Sequence, residues 1–291
     1  MPRPEIRCTI CCIRRRRTAK PVKIKKKSRG KSPGAEVSLH NTRKAMFKTT
    51  KALVLREVRY KEADRILTLL TDTDGKVTAK ARGALRKGSR MGAATQQLTY
   101  SELTLFGNKG RWTVNEGTVI ESFAGLREDM GRLSLGCYFA ECLEALSVED
   151  QADPALLQLG LNALFALSRA MYTPEKIKAA VELRLMCLTG YEPNLAACPV
   201  CGKTEPEDPI FSAERGGLCC RDCRKRMFSG SPLCAQSLAA MRYIVAAPAK
   251  QMLAFPIEGK AMERLSDAAE LYFLANAERS FSTLDYWKKV K

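Results

Sequence analysis

Histidine is almost absent from this sequence: His40 is the single histidine among 291 residues. Beyond residue 45, therefore, no Ser-His-Asp or Cys-His relay can be assembled, and no metal can be held by imidazole. The zinc deaminase signature, in which His-x-Glu precedes a Cys-x-x-Cys pair, is missing as well. These absences exclude several common classes of enzyme that depend on histidine.

Long apolar runs are lacking too. No segment approaches the roughly 20 apolar residues of a membrane-spanning helix. The short stretch CTICCI at residues 8–13 stands before four arginines, which reverses the order of a signal peptide. Twelve cysteines in a chain of this length do not resemble the disulfide framework of a small secreted domain. We expect a protein of the reducing cytoplasm that has no membrane partner.

Acidic residues are scarce at the beginning of the chain. Residues 1–45 contain 15 Lys and Arg but only 2 acids, which leaves 34 cations and 29 acids for the remainder of a chain of net charge +18. This segment is too polar to bury a core, so we predict a disordered basic tail. It is either a nucleic-acid-binding arm or an appendage upstream of a natural start at Met46. The second interpretation is favoured because Met46 stands directly before the first structured pattern.

The residues that follow the tail carry the pattern of a small β-barrel. The stretch KALVLREVRY, which begins at Lys51, alternates apolar and polar residues as a half-buried strand does. An Asp74-Gly75 turn joins the next two predicted strands, and the sequence GNKG at residues 107–110 joins two more. About five short strands within some seventy residues predict a closed or nearly closed barrel.

After Phe123 the apolar spacing becomes helical, since Leu133, Cys137, Ala140 and Leu143 fall on one helix face. Further helix starts are predicted where a capping residue precedes a proline. These are Asp153-Pro154, Thr173-Pro174 and Ser231-Pro232. A last amphipathic stretch runs from about residue 258 to residue 279 and ends near the terminus. The predicted class is α+β, with the barrel followed by an α-helical domain.

Two Cys-x-x-Cys pairs interrupt the helical part, one at Cys198 and Cys201 and the other at Cys220 and Cys223. Four thiolates that converge from two tight turns supply the tetrahedral shell that Zn²⁺ prefers. Because this shell leaves no open position for water, the predicted zinc is structural. Cys219 is an alternative third ligand, but the two-residue spacing to Cys223 favours Cys220. The module is net acidic, with 3 cations against 5 acids between its outer cysteines, which favours a fold-stabilising clip or a protein contact over phosphate binding.

The barrel is the better candidate for a nucleic-acid surface. Eight cations and one acid, Glu102, lie between residues 76 and 111. Closely spaced cations on a flexible Gly- and Ser-containing loop suit a phosphate backbone, because neutralised phosphates release counterions. A merely solvated surface is the alternative, which the uneven balance makes less favoured. The predicted DNA-binding residues are Lys80, Arg82, Arg86, Lys87, Arg90, Lys109 and Arg111.

Aromatic residues near these cations have two interpretations. Tyr100, Phe106 and Trp112 lie on the same predicted strands, where they could stack on bases. Aromatic residues at alternate strand positions are more often buried in a core. Burial is therefore the favoured interpretation for each of the three.

The segment TKALVLREVRYKEADRILTLLTDTDGKVTAKARGALR, with CPVCG after a helical stretch that ends in TGYEPNL, resembles the RecO family of bacterial recombination mediators. The resemblance covers roughly residues 46–290. It implies an OB-fold at 46–123, a helical domain at 124–196 and 232–291, and a zinc module inserted at 197–231. It also implies a non-enzymatic role in DNA repair and homologous recombination by the RecF pathway.

The resemblance further implies the partners. RecO-like proteins bind single- and double-stranded DNA and anneal complementary strands. They act with RecR, and often with RecF, to load RecA onto DNA coated by single-strand DNA-binding protein, whose acidic C-terminal tail they contact through the helical domain. A cytoplasmic, nucleoid-associated bacterial protein is expected.

Two other functions remain open on the residues alone. A nuclease would need clustered carboxylates or an open zinc site; the sequence TDTDG at residues 71–75 has the right form but is typical of a hairpin turn. A zinc adaptor that joins proteins would not bind DNA directly.

Overall fold

The computed structural model describes residues 46–108, 110–227 and 230–291, and these belong to one compact unit. The predicted basic tail at 1–45 and the predicted DNA-binding residue Lys109 lie outside the described residues. Within the described ranges, no helix is both long enough and apolar enough to cross a membrane. The class is α+β, as the sequence predicts.

Five strands close into a barrel at the beginning of the described chain. They are β1 (Met46–Tyr60), β2 (Asp64–Thr71), β3 (Gly75–Ala81), β4 (Tyr100–Asn108) and β5 (Arg111–Glu121). Their order is β1-β2-β3-β5-β4, and β4 returns to pair with β1. A bulge between Val54 and Arg56 bends β1, so that this long strand can pair with both neighbours. This is the five-stranded arrangement of an OB-fold.

Small and branched apolar side chains fill the barrel. On β3, Val77, Ala79 and Ala81 are buried, whereas the residues between them face outward. This alternation is what the period-2 pattern predicts, because successive side chains of a strand point to opposite faces. Ala84 and Ala94, from the long connection between β3 and β4, complete the same core.

Helices make up most of the rest of the chain. They are α1 (Met130–Leu146), α2 (Pro154–Ser168), α3 (Pro174–Leu188), α4 (Arg221–Met227), α5 (Ala235–Ala246), α6 (Gly259–Ala277) and α7 (Ser282–Val290). The predicted start at Asp153 is confirmed, and its carboxylate accepts hydrogen bonds from the N–H groups of Ala155 and Leu156 at 3.0 and 2.9 Å. The start at Thr173 is confirmed by its N-cap position, without a side-chain cap bond.

Beside its own core, the barrel contributes residues to the hydrophobic core of the helices. Leu53, Leu55 and Tyr100 of the barrel belong to the same buried cluster as the apolar faces of the helices. The β2–β3 hairpin presses against the helical side at Gly75, where a Cβ would lie 2.1 Å from the carbonyl oxygen of Gln151. With φ at +66°, this position requires glycine for both its backbone and its surroundings.

An ion-pair network lies inside the helical core. Lys178 and Glu182 are fully buried, with Lys178 Nζ 2.9 Å from Glu182 and 2.8 Å from Glu270 of α6. Tyr138 donates a hydrogen bond to Glu182 at 2.8 Å. Burial alone would lower the pKa of Lys178, but the two carboxylates raise it. Lys178 therefore stays charged and ties α3 to α6.

The cysteine-containing segment forms a small module against α6. Its strands β6 (Ile210–Ser212), β7 (Gly217–Cys219) and β8 (Ser231–Pro232) pair in the order β7-β6-β8, and α4 follows β7. The ring of Phe211 packs edge-on against Tyr272 of α6, with centroids 5.1 Å apart. The module is thus joined to the helical core through its own sheet.

One prediction about the last helices is wrong. Ser231-Pro232 does not begin a helix, because this pair forms β8 and bonds to Ile210 and Phe211; α5 begins three residues later, with Cys234 as its N-cap. Proline is tolerated there because β8 is an edge strand. The amphipathic stretch predicted from about residue 258 to residue 279 is confirmed as α6, and a further helix that was not predicted, α7, follows it.

Candidate nucleic-acid interface and metal centre

The connection between β3 and β4, residues 82–99, is here named the basic loop. It is an ordered series of turns and not the flexible loop that the sequence suggests. Gly83 N–H donates to Asp64 at 2.8 Å, and Arg65 donates to the carbonyl oxygen of Gly92 at 2.9 Å. Ala84 and Ala94 anchor the loop in the barrel core. The loop therefore presents its side chains from a fixed backbone.

The cations of the basic loop face solvent. Arg82, Arg86, Lys87 and Arg90 are all exposed. Within the described part of the chain, none of these four forms an ion pair with a carboxylate, so their charge is available to an external anion. This is the arrangement that backbone contacts to a polyanion require.

A groove of about 890 Å³ lies on the outer surface of the barrel beside this loop. It combines two kinds of side chain that suit an unpaired nucleic-acid strand, cations for phosphates and rings for bases. The cations are Lys80, Arg82 and Arg111, and the aromatic residues are Tyr60, Phe106 and Trp112. Strands β2 and β3 of an OB-fold form the surface on which this fold binds oligonucleotides.

The position of the Trp112 indole depends on a glycine in the neighbouring strand β4. A Cβ at Gly107 would lie 2.7 Å from Cζ3 of Trp112, so glycine allows the indole to lie against β4. Trp112 packs on the barrel core while another part of it lines the groove. Of the three aromatic residues considered from sequence, Tyr100 is buried as expected, and Phe106 and Trp112 are only partly buried.

Lys80 differs from the other cations of the groove because it already has partners. Its Nζ lies 2.9 Å from Asp64 and 4.6 Å from the centroid of the Tyr60 ring. The hydrogen bond from Gly83, followed by the contact with Lys80, holds the pKa of Asp64 below its ordinary value. Asp64 is thus a carboxylate inside a cationic groove, and it offsets part of the charge that Lys80 brings.

The structure therefore brings together most of the predicted surface. Lys80, Arg82 and Arg111 line the groove, and Arg86, Lys87 and Arg90 extend it along the basic loop. Sequence reasoning missed Tyr60, which is 40% exposed at the end of β1. Alternation could not have located it, because residues 52–55 of β1 are all buried and residues 58–60 are all exposed.

Four cysteines form a second candidate site, which could hold a metal ion. The sulfur atoms of Cys198, Cys201, Cys220 and Cys223 all lie within 4.8 Å of one another, and those of Cys201 and Cys220 are 3.6 Å apart. Four sulfurs around one tetrahedral zinc would be separated by roughly 3.8 Å. In the part of the chain that the structure describes, the arrangement fits a four-thiolate metal site.

The grouping of the sulfur atoms, and not the pKa of each thiol, separates the ligands from a neighbour. Burial opposes ionisation of Cys198, but N–H donors from Cys220, Cys201 and Val200 lower its pKa to about 6. The hydrogen bond with Cys220 raises the pKa of Cys223 to about 12, and burial raises the pKa of Cys219 to about 11. Of these two, only Cys223 belongs to the four grouped sulfurs. The geometry agrees with the choice of Cys220 from the spacing.

Two cations near the cysteines form ion pairs with carboxylates of the same module. Lys203 Nζ lies 3.0 Å from Asp222, and Arg221 lies 3.3 Å from Asp208. Each of these cations therefore has an acidic neighbour inside the module. This arrangement does not favour phosphate binding there.

Two family models match the chain. The model described as Recombination protein O N terminal matches residues 46–123, and the model described as Recombination protein O C terminal matches residues 127–285. Together the two matches span the barrel, α1 to α6, the cysteine module and the beginning of α7.

Curated proteins give the same result. The chain is 33% identical to the DNA repair protein RecO of Acetivibrio thermocellus over 241 residues, which cover 83% of this chain and 96% of that protein. It is 30% identical to the DNA repair protein RecO of Alkaliphilus metalliredigens over 246 residues, 84% of this chain and 100% of that protein. The DNA repair protein RecO of Heliobacterium modesticaldum is 38% identical over 199 residues, 67% of this chain and 72% of that protein.

Proposed function

The chain belongs to the RecO family of DNA repair and recombination proteins, and on that premise we propose that it binds single- and double-stranded DNA through the barrel and anneals complementary strands. The observation that carries the proposal is the groove beside the basic loop, where cations and partly exposed aromatic rings share one surface. Cations neutralise phosphates of either DNA form, whereas rings reach only the faces of unpaired bases.

The proposed role is that of a mediator and not of an enzyme. Cations on the basic loop reduce the repulsion between two DNA strands that are held close together, so that complementary bases can pair. The groove holds one strand with little dependence on its sequence, because each base has a face that can stack. No bond in DNA needs to be broken for this activity.

A nuclease is disfavoured by the contacts of the TDTDG turn. Thr50 donates a hydrogen bond to Asp72 at 2.7 Å, and Lys48 donates to Asp74 at 2.6 Å. Both carboxylates therefore stabilise the hairpin and its contact with β1. Labelled DNA that is incubated with the protein and Mg²⁺ should remain at full length, and shortened products would contradict the mediator role.

The proposed metal is a structural Zn²⁺ held by Cys198, Cys201, Cys220 and Cys223. Four thiolates satisfy the preferred coordination of zinc without water. The module packs on α6 through Phe211, so the ion would stabilise a protein surface and take no part in DNA binding. A zinc adaptor without DNA binding is the alternative, and it predicts no affinity for DNA even at low salt.

Family membership supports the proposed partners, which are RecR, RecA, RecF and the acidic C-terminal tail of single-strand DNA-binding protein. A mediator of this kind would act in the bacterial cytoplasm, at the nucleoid. Strand annealing in the presence of single-strand DNA-binding protein tests the proposal most directly. Annealing should proceed with the intact coating protein and become slower when its tail is removed. Equal rates would exclude tail recognition.

The DNA site itself is tested by a triple substitution, Arg86→Ala, Lys87→Ala and Arg90→Ala. We expect several-fold weaker DNA binding and a smaller slope of log affinity against log salt, because fewer counterions are released. The matched control removes three exposed lysines from the helical side, Lys250, Lys260 and Lys289. Unchanged affinity in the first variant, or equal losses in both, would contradict the assignment of the basic loop.

A further inference from the structure

A row of outward-facing side chains runs around the closed barrel, from β1 through β4, β5, β3 and β2 to β1 again, and extends beyond the groove. Its members are direct partners on successive strands, and none of them is buried. With neighbouring strands about 4.8 Å apart, the path of the row along the curved surface of the barrel is roughly 24 Å. In order, it consists of Phe47, Phe106, Thr113, Lys80, Ile66 and Val58.

Phe47 stands at one end of this row and has an unusual environment for phenylalanine. It is 64% exposed, the largest value among the exposed large apolar side chains of the described residues. Its ring contacts Phe106, with centroids 4.9 Å apart and the planes inclined by 45°. Phe106 in turn lines the groove. The groove surface therefore continues, ring by ring, onto β1.

We propose that Phe47, supported by Phe106, forms a subsite on which an unpaired nucleobase stacks, at the β1 end of the groove. The proposal rests on the DNA-binding function given above and adds to it a residue and a position. Continuity with the groove identifies the occupant, because a strand that runs along the row past Lys80 and Arg111 reaches Phe47 next. Bases within a duplex have their faces covered by neighbours, so this subsite selects for single strands.

The position of Phe47 at the end of the row has a consequence for the length of the ligand. A short oligonucleotide can occupy the central groove around Trp112 without reaching β1. A longer one covers both places. Loss of the Phe47 ring should therefore weaken the binding of long oligonucleotides and leave that of the shortest ones unchanged.

The experiment measures the affinity of labelled oligothymidylates of about 4 to 20 nucleotides, a range that brackets the site size of one OB-fold. We expect Phe47→Ala to weaken the binding of the longest oligonucleotides roughly tenfold, in the range for loss of one base–aromatic stack. Phe47→Tyr, which keeps a ring, should bind like the unchanged protein, and Phe47→Leu, which keeps only apolar surface, should resemble Phe47→Ala. Phe165→Ala removes a 37% exposed ring from α2 and serves as the control.

Two results would overturn the subsite. One is unchanged affinity of Phe47→Ala at every length; the other is an equal loss at every length, which would place the effect in the fold of β1 and not in a terminal contact. Thermal unfolding of each variant shows whether an equal loss of affinity at every length comes from a less stable protein. Failure of the proposed DNA-binding function would give a different result from failure of the subsite. In that case the unchanged protein would show no salt-dependent binding of any oligonucleotide.

Discussion

In the four-cysteine module the cations Lys203 and Arg221 pair with carboxylates of the same module, whereas on the basic loop Arg86, Lys87 and Arg90 face solvent with no ion pair among the described residues. Both segments are rich in charge, and both contain Arg and Lys close together in sequence. The difference is in what faces each cation. A charge that is already paired stabilises its own segment, and a charge that is left exposed is available to a partner.

The largest expected effect concerns the module. Cys201→Ser should abolish metal binding and lower the free energy of unfolding by on the order of 5 kcal/mol, because metal binding and folding are linked. The fraction that remains folded should bind DNA with normal affinity. Metal content by elemental measurement, chemical unfolding and DNA titration provide the three readouts.

Cys219→Ser is the matched control for that substitution. Cys219 adjoins Cys220 but lies outside the group of four sulfurs, so this variant should retain one metal ion per chain. A Cys219→Ser variant without metal would show that the wrong cysteine is assigned. Loss of DNA affinity in folded Cys201→Ser would remove the contrast between module and barrel altogether.

A second substitution removes the buried charge of Lys178, which pairs with carboxylates inside the helical core. Lys178→Met leaves Glu182 buried without its cationic partner, which should cost about 3–5 kcal/mol of stability. Lys250→Met removes an exposed lysine and should leave the unfolding free energy almost unchanged. DNA affinity measured well below the unfolding transition should be the same in both variants. Equal stabilities would mean that the buried pair does not contribute as its geometry indicates.

The smallest expected effect concerns Asp64, a carboxylate that pairs with the cation Lys80 inside the groove. Asp64→Asn keeps an oxygen that can accept from Gly83 but frees Lys80 from its carboxylate, so single-stranded DNA should bind roughly twofold more tightly at low salt. Glu258→Gln, the same change of charge on the helical side, should have no such effect. Weaker binding by Asp64→Asn would indicate that Asp64 orders the groove more than it neutralises Lys80.

The same pair gives a pH dependence with a defined sign. Because the folded protein lowers the pKa of Asp64, its contribution to stability is present above the ordinary carboxylate pKa and is lost as the pH falls through the folded value. Acid unfolding of the unchanged protein should therefore include a small component that Asp64→Asn lacks. Identical acid-unfolding curves would contradict the contact.

The strands were predictable because their information is local. The stretch KALVLREVRY is confirmed as part of β1, and the turn at Asp74-Gly75 as that of the β2–β3 hairpin. The predicted half-burial of that strand is wrong, because Ala52 and Val54 face the barrel core while Leu53 and Leu55 face the helical core. Proline at the first helical position located α2 and α3 for the same reason. At Ser231-Pro232 the same signal failed, since pairing with β6 decided the conformation of those residues.

The groove could not be predicted, because register brings its members together. Phe47 and Phe106 are 59 positions apart in sequence but are direct partners across β1 and β4. The spacing of the cysteines, in contrast, contains most of the geometry of their site, since each pair lies within a single turn. A site made of local pieces can be read from a sequence, whereas one made by strand pairing requires the fold.

The core shared by the barrel and the helices determines how a bound strand is presented. Leu53, Leu55 and Tyr100 pack among helical side chains, and Gly75 allows the hairpin to touch the carbonyl oxygen of Gln151. The barrel cannot turn independently of the helices without opening this core. A DNA strand bound in the proposed groove would therefore keep one orientation relative to α1–α7, and a protein bound to those helices would meet it at one angle and at high effective concentration. The shared packing would thus set the orientation of a bound strand, in addition to its position.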